Sequence, residues 1–178
     1  EYYGSIARGD GKKSQYCSDL YESSRKYILE YFNAPEDIYT AIFVGNTTDG
    51  LNKLSNILID NTDDIVITTR MEHHSNDLPW RSKCDLRHVE VDKDGRVRIE
   101  EIEYLLDKYQ EKVKYVTITG ASNVTGYVND IKRVAKAAHK YGAKIIVDGA
   151  QLIPHKKISM IQEDASENID FLVFSGHK

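Results

Sequence analysis

The chain has 178 residues, of which 40% are hydrophobic and 29% charged, the balance of a globular protein long enough for one domain with a sizeable core. Its formal net charge of −4 argues against a nucleic-acid partner, and it lacks the run of about eighteen apolar residues that a membrane span requires. Cys17 and Cys84 have no metal-ligand spacing and read as reduced thiols of a cytoplasmic protein.

Along the chain, Glu1–Lys13 carries three glycines with Arg8, Lys12 and Lys13 and reads as an extended arm. Ser14–Phe32 follows, with Leu20, Tyr27, Ile28 and Tyr31 at helical spacing. A first strand is expected at Ala41–Val44, and a helix over Gly50–Ile59 from the repeat of Leu51, Leu54 and Leu58. Strands are then expected at Ile65–Thr68 and Leu86–Val91, and a helix at Ile99–Gln110 carrying Ile102, Leu105 and Leu106. The charged stretch Glu100–Lys114 reads as a solvated helix face. Tyr115–Thr119 is the next strand. Asp130–Tyr141 starts on a capping residue, collects Val134, Ala137 and Ala138 on one face and stops at Gly142. Lys144–Asp148 and Phe171–Phe174 complete the strands. Several of the six are apolar throughout, as strands buried on both faces are. Their alternation with helices predicts an α/β fold with right-handed crossovers around a mainly parallel sheet.

Five groups with chemical potential stand immediately after strands. Gly45-Asn46-Thr47-Thr48-Asp49 opens a helix, where free N–H groups, the positive end of the dipole and the threonine hydroxyls suit an anion. Glu72-His73-His74-Ser75-Asn76 offers an imidazole that can stack on a flat ligand. Adjacent histidines point in different directions and lack the i, i+4 relation of a zinc pair, so no metal is expected. Gly120-Ala121-Ser122-Asn123 supplies an amide. Asp148-Gly149-Ala150-Gln151 ends a buried strand on a carboxylate, which calls for a cationic partner such as a protonated ring nitrogen. Ser175-Gly176-His177-Lys178 ends the chain on a lysine, the residue type that forms Schiff bases. Singly, each is ordinary for a turn. Together they share the carboxyl edge of one sheet, where open α/β sheets bind ligands. A nucleotide-binding Rossmann or P-loop fingerprint is absent.

In order, Thr47-Thr48, Glu72-His73-His74-Ser75-Asn76 with Pro79-Trp80, Ser122-Asn123-Val124-Thr125-Gly126, Asp148-Gly149-Ala150-Gln151 with Pro154-His155, and Phe174-Ser175-Gly176-His177-Lys178 resemble the class V aminotransferase family of fold-type I pyridoxal-phosphate (PLP) enzymes, in particular its cysteine desulfurase and selenocysteine lyase branch. The resemblance covers nearly the whole chain. It implies a three-layer α/β/α sandwich, with residues 14–178 as the PLP-binding large domain behind the arm 1–13. It implies that Lys178 forms the Schiff base with PLP, Asp148 pairs with the pyridinium nitrogen and His73 stacks on the ring. Gln151 and Asn123 would hydrogen-bond near the phenolic oxygen, and Thr48, Ser175 and His177, with the backbone around Thr47, would hold the phosphate. Asn46 and Asp49 stand where these enzymes often have Gly and Glu, and Ala7 where a His is usual.

The implied activity is conversion of L-cysteine or selenocysteine to alanine, with sulfur or selenium released or passed to an acceptor protein by a homodimer. Family members continue past the lysine into a small domain that holds the substrate-carboxylate arginine and, in the desulfurases, the attacking cysteine. The chain is therefore expected to be an inactive fragment that also lacks its native start. The alternatives are another activity of the family (aminotransferase, epimerase or kynureninase-like lyase) or a non-catalytic α/β dimerisation module.

Overall fold

The computed structural model describes residues 4–6 and 9–177. Lys178 lies outside the described residues, as do Ala7 and Arg8 of the arm. The chain divides after Phe43 into two compact units.

The first unit is built on helix α1, Lys12–Tyr31. It buries Leu29 and, just past its end, Phe32, whereas Leu20 and Tyr27 of the face expected from spacing are exposed. Tyrosine and leucine occur around the whole circumference of this helix, so spacing alone does not single out its buried side. Arg25 fastens the following segment, donating from Nε to the Ala41 carbonyl at 2.8 Å and from Nη2 to Thr40 Oγ1 at 2.6 Å.

The strand expected at Ala41–Val44 does not form. The segment joins no ladder: the described sheet consists of five other strands. A short apolar run specifies an extended backbone but cannot provide its own partner.

In the second unit, strands β1 (Ile65–Thr69), β2 (Asp85–Val89), β3 (Val113–Thr119), β4 (Lys144–Asp148) and β5 (Phe171–Val173) form one sheet in the order β2-β1-β3-β4-β5. Every pairing is parallel, as the continuous apolar runs required. Helices α2 (Thr47–Leu58), α3 (His74–Asp77), α4 (Ile99–Tyr109) and α5 (Ile131–Lys140) pack on it. The connection from β1 to β2 runs in one direction across the sheet, and those from β2 to β3, β3 to β4 and β4 to β5 run in the other. Right-handed crossovers then put α3 on one face and α4 and α5 on the opposite face. Packing agrees: α2 and α3 touch each other, as do α4 and α5. The result is the expected three-layer α/β/α arrangement.

Leu51, Val66, Trp80, Ile146 and Val173 form the core beneath α2. Ile145 and Val147, which alternate with Ile146, point to the other face. At the α4–α5 edge the charged stretch is solvated, and Arg133 joins Glu100 at 3.0 Å and Glu103 at 2.8 Å. Gly50 brings α2 close to the sheet. A Cβ there would stand 2.6 Å from Val173 Cγ1, so the helix start can lie against the end of β5 only without a side chain.

A cleft at the carboxyl ends of the strands

The strand order reverses around β1, and the crevice between the ends of β1 and β3 is the topological switch point at which doubly wound sheets take ligands. A cleft of about 310 Å³ opens there and extends along the ends of β4 and β5. Thr47, Thr48, His73, Asn123, Asp148, Gln151, Ser175 and His177 all line it. These are all the described residues among the sequence candidates. Asn46, Ser75, Thr119, Ala121 and Ala150 line it as well. None of these was assigned a role from sequence: Asn46, Ser75, Ala121 and Ala150 stand inside the quoted groups beside the candidates, and Thr119 is the last residue of β3.

One wall is the start of α2. Asn46 caps the helix, accepting from the Asp49 N–H at 2.9 Å, and Asp49 accepts from the Gly45 N–H at 2.9 Å. This reciprocal arrangement is a capping box shifted by one residue. It accounts for the two positions that depart from the family pattern, since Asn and Asp here cap each other's turn. The Lys53 ammonium beside Asp49 holds its carboxyl below the usual range. The first N–H groups of a helix have no acceptor within it, and those of Thr47 and Thr48 face this end. Thr47 is 93% buried, at 7% exposure, yet its hydroxyl has no hydrogen-bond partner among the described residues. A buried hydroxyl left unbonded costs about 1–3 kcal/mol. An anionic group with several acceptor oxygens would satisfy it together with the helix N–H groups.

The floor is Asp148, level in register with Thr119 on one side and Val173 on the other. It is 2% exposed, and its Oδ1 accepts from the Ala150 N–H at 2.9 Å. The turn that follows carries Gln151 into the cleft.

The opposite wall is the turn after β1. His73 is the N-cap of α3, and its Nδ1 accepts from the Ser75 N–H at 3.2 Å with Ser75 Oγ at 2.8 Å. A nitrogen that accepts from a backbone N–H carries no proton, so the neutral ring keeps its proton on Nε2. Ser122 shapes the loop that bears Asn123, its Oγ accepting from the N–H groups of Val124 and Thr125.

Behind His73 lies a residue that the sequence candidates omitted. Glu72 accepts from Thr69 Oγ1 at 2.7 Å and from Asn76 Nδ2 at 2.6 Å. The residue keeps some exposed surface, but its carboxyl group is enclosed. Burial pushes the Glu72 pKa up from 4.5 to about 7; hydrogen bonds, chiefly from Thr69, pull it down and the charge of Asp148 adds to the rise. The only sequence signal was its place in the Glu-His-His-Ser-Asn string.

These features fit PLP. The α2 end has donors for a phosphate, including a hydroxyl that lacks a partner among the described residues, and the buried Asp148 suits a cationic ring nitrogen. The imidazole of His73 lies across the same cleft.

Comparison with known proteins agrees in family. The model of the family described as Aminotransferase class-V matches residues 1–178. A probable cysteine desulfurase of Halalkalibacterium halodurans is 37% identical over 188 aligned residues, covering 99% of this chain and 44% of the relative. The cysteine desulfurase of Cronobacter sakazakii is 34% identical, covering 99% of this chain and 43% of its own length. Among solved structures, the apo cysteine desulfurase of Thermococcus onnurineus NA1 superposes with a TM-score of 0.84 at 31% identity, over 100% of this chain and 44% of that one. The chain thus spans less than half the length of the relatives it matches.

Proposed function

The chain belongs to the class-V aminotransferase family, and from that premise we propose that it carries the cofactor-binding groups of a PLP-dependent cysteine desulfurase. The proposed reaction takes L-cysteine or selenocysteine to alanine, with the sulfur or selenium released or handed to an acceptor protein. A homodimeric assembly, a cytoplasmic location and the division into an arm at 1–13 and a PLP-binding domain at 14–178 belong to the same proposal. The observation that carries it is the convergence of eight residues from five separate stretches of the chain on one cleft, with the carboxylate of Asp148 buried at its floor.

In this reading the N–H groups of Thr47 and Thr48 and the hydroxyls of Thr47, Thr48 and Ser175 bind the phosphate, with His177 beside them. Asp148 holds a proton on the pyridine nitrogen by lowering the energy of the charged ring. His73 covers one ring face and keeps water from it, its orientation fixed by Ser75. Gln151 and Asn123 donate to the phenolic oxygen. Lys178 is the amine that attaches the cofactor and moves a proton at the substrate's α-carbon. When bound, the cofactor supplies an electron sink for the carbanion that deprotonation at that carbon creates.

The test is reductive trapping. Borohydride added to the PLP-loaded chain is expected to leave the cofactor covalently on Lys178, as peptide mapping reads. Lys178→Ala is expected to abolish the adduct. An adduct on another lysine, or one that persists in the alanine variant, contradicts the assignment.

A further inference from the structure

Asn123 reaches the cleft on a turn that is held from outside the site. Between β3 and α5 the chain doubles back on itself. Ala121 bridges Val128, the Ser122 N–H donates to the Tyr127 carbonyl at 2.8 Å, and the Gly126 N–H donates to the Ser122 carbonyl at 3.1 Å. At the base of the turn, Asn129 Nδ2 donates to the Thr119 carbonyl at 2.8 Å. Asn123, Val124, Thr125 and Gly126, which form the tip, are exposed, so burial in the core does not hold the tip in place.

A second turn meets it. Between β2 and α4, Val91 bridges Val97 around Asp92-Lys93-Asp94-Gly95-Arg96. Asp92 Oδ1 accepts from the N–H groups of Asp94 and Arg96, both at 2.9 Å, and the Asp92 N–H donates to the Arg96 carbonyl at 2.8 Å. These bonds fix the backbone of Arg96. Its guanidinium lies over the Tyr127 ring, with Cζ 4.8 Å from the centroid, and donates from Nη2 to the Tyr127 hydroxyl at 3.2 Å. A planar guanidinium can stack and donate at once, which a lysine ammonium cannot. The turns approach each other directly as well, since a Cβ on Gly95 would stand 3.2 Å from Thr125 Cγ2. Arg96 thus grips the outgoing limb of the turn whose incoming limb carries Asn123. The Ala121–Val128 bridge and the Ser122–Tyr127 bond join the two limbs, so a displacement of Tyr127 carries Asn123 with it.

Resting on the PLP reading, and deepening it, we propose that Arg96, acting through Tyr127, is a positioning residue for Asn123. Arg96 sets how far the Asn123 amide projects along the cleft, and so whether that amide reaches the phenolic oxygen of the bound cofactor. Asn123 lines the cleft and Arg96 does not, so an effect of Arg96 on the cofactor has to pass through another residue.

The test is a double-mutant cycle on PLP affinity in the full chain, followed by the visible absorbance of the bound cofactor. Asn123→Ala and Arg96→Ala are each expected to weaken binding about fivefold, as for one lost hydrogen bond. Both are expected to move the absorbance maximum of the bound cofactor in the same direction. The variant carrying both substitutions is expected to bind no more weakly than Asn123→Ala alone. Unchanged affinity in Arg96→Ala overturns the proposal. Losses that multiply to about 25-fold in the double variant overturn it too, because Arg96 then acts independently of Asn123. Full affinity in Asn123→Ala overturns it as well, by removing the residue that Arg96 would position. Should Arg96→Ala not fold, Tyr127→Leu takes its place in the cycle, with the same outcomes deciding. Failure of the parent chain to bind PLP overturns the PLP reading, and this inference with it. That failure is distinct from the others, in all of which the parent chain binds.

Discussion

Thr47 and Glu72 are both costly to the folded chain, for different reasons. The Thr47 hydroxyl is buried without a partner among the described residues, so Thr47→Val is expected to stabilise the ligand-free chain by about 1 kcal/mol, because the shape is kept and the unmet desolvation is removed. The same variant is expected to bind PLP more weakly. Thermal melts with and without PLP read both effects, and a destabilised ligand-free variant contradicts the account of this hydroxyl. For Glu72 the sign follows from its raised pKa. The stabilising contribution is complete below the unfolded value near 4.5 and is lost as pH rises through about 7. A rise of that size corresponds to a loss on the order of 3 kcal/mol. Denaturant melts of the parent chain minus those of Glu72→Gln are expected to decline over that window. A flat difference counts against the burial of this carboxyl.

Secondary elements position the site through close approaches that allow no extra atoms. Gly50 sits inside α2, where alanine would ordinarily gain up to about 1 kcal/mol. Here the added methyl meets Val173 Cγ1, on a β-branched side chain with little rotamer freedom. Gly50→Ala is expected to destabilise by about 1–3 kcal/mol, and Val173→Ala in the same chain is expected to recover part of that loss. Additive effects in the double variant would mean that the two positions do not touch.

Much at this scale was legible beforehand. Ile65–Thr68, Tyr115–Thr119 and Lys144–Asp148 are dense in β-branched residues, so period and propensity agreed, and the residues that follow each run were correctly brought to one edge. Helix α3 was not legible, because four residues have no period to detect. Ala41–Val44 misled for the converse reason: it has strand composition, but strand status depends on a partner. Nothing in the sequence marks Glu72 as buried, and only the packing around it encloses its carboxyl group.

For the whole molecule, the strand order β2-β1-β3-β4-β5 sets the chemistry, because it puts the switch point beside Asp148 and leaves α2 to close the cleft from the side of β5. No local pattern encodes that order. It follows from right-handed crossovers together with which faces the helices must cover. The match to the class-V aminotransferase family over residues 1–178 and the 44% coverage of the Halalkalibacterium halodurans relative direct attention to what these residues can do themselves, namely bind the cofactor. PLP titrated into the 178-residue chain, followed by the visible absorbance of the bound cofactor, tests this most directly. The account predicts saturable binding of one PLP per chain, weakened at least about tenfold by Asp148→Asn as expected for a lost buried charge pair. Absence of saturable binding, or equal affinity in the asparagine variant, would contradict it.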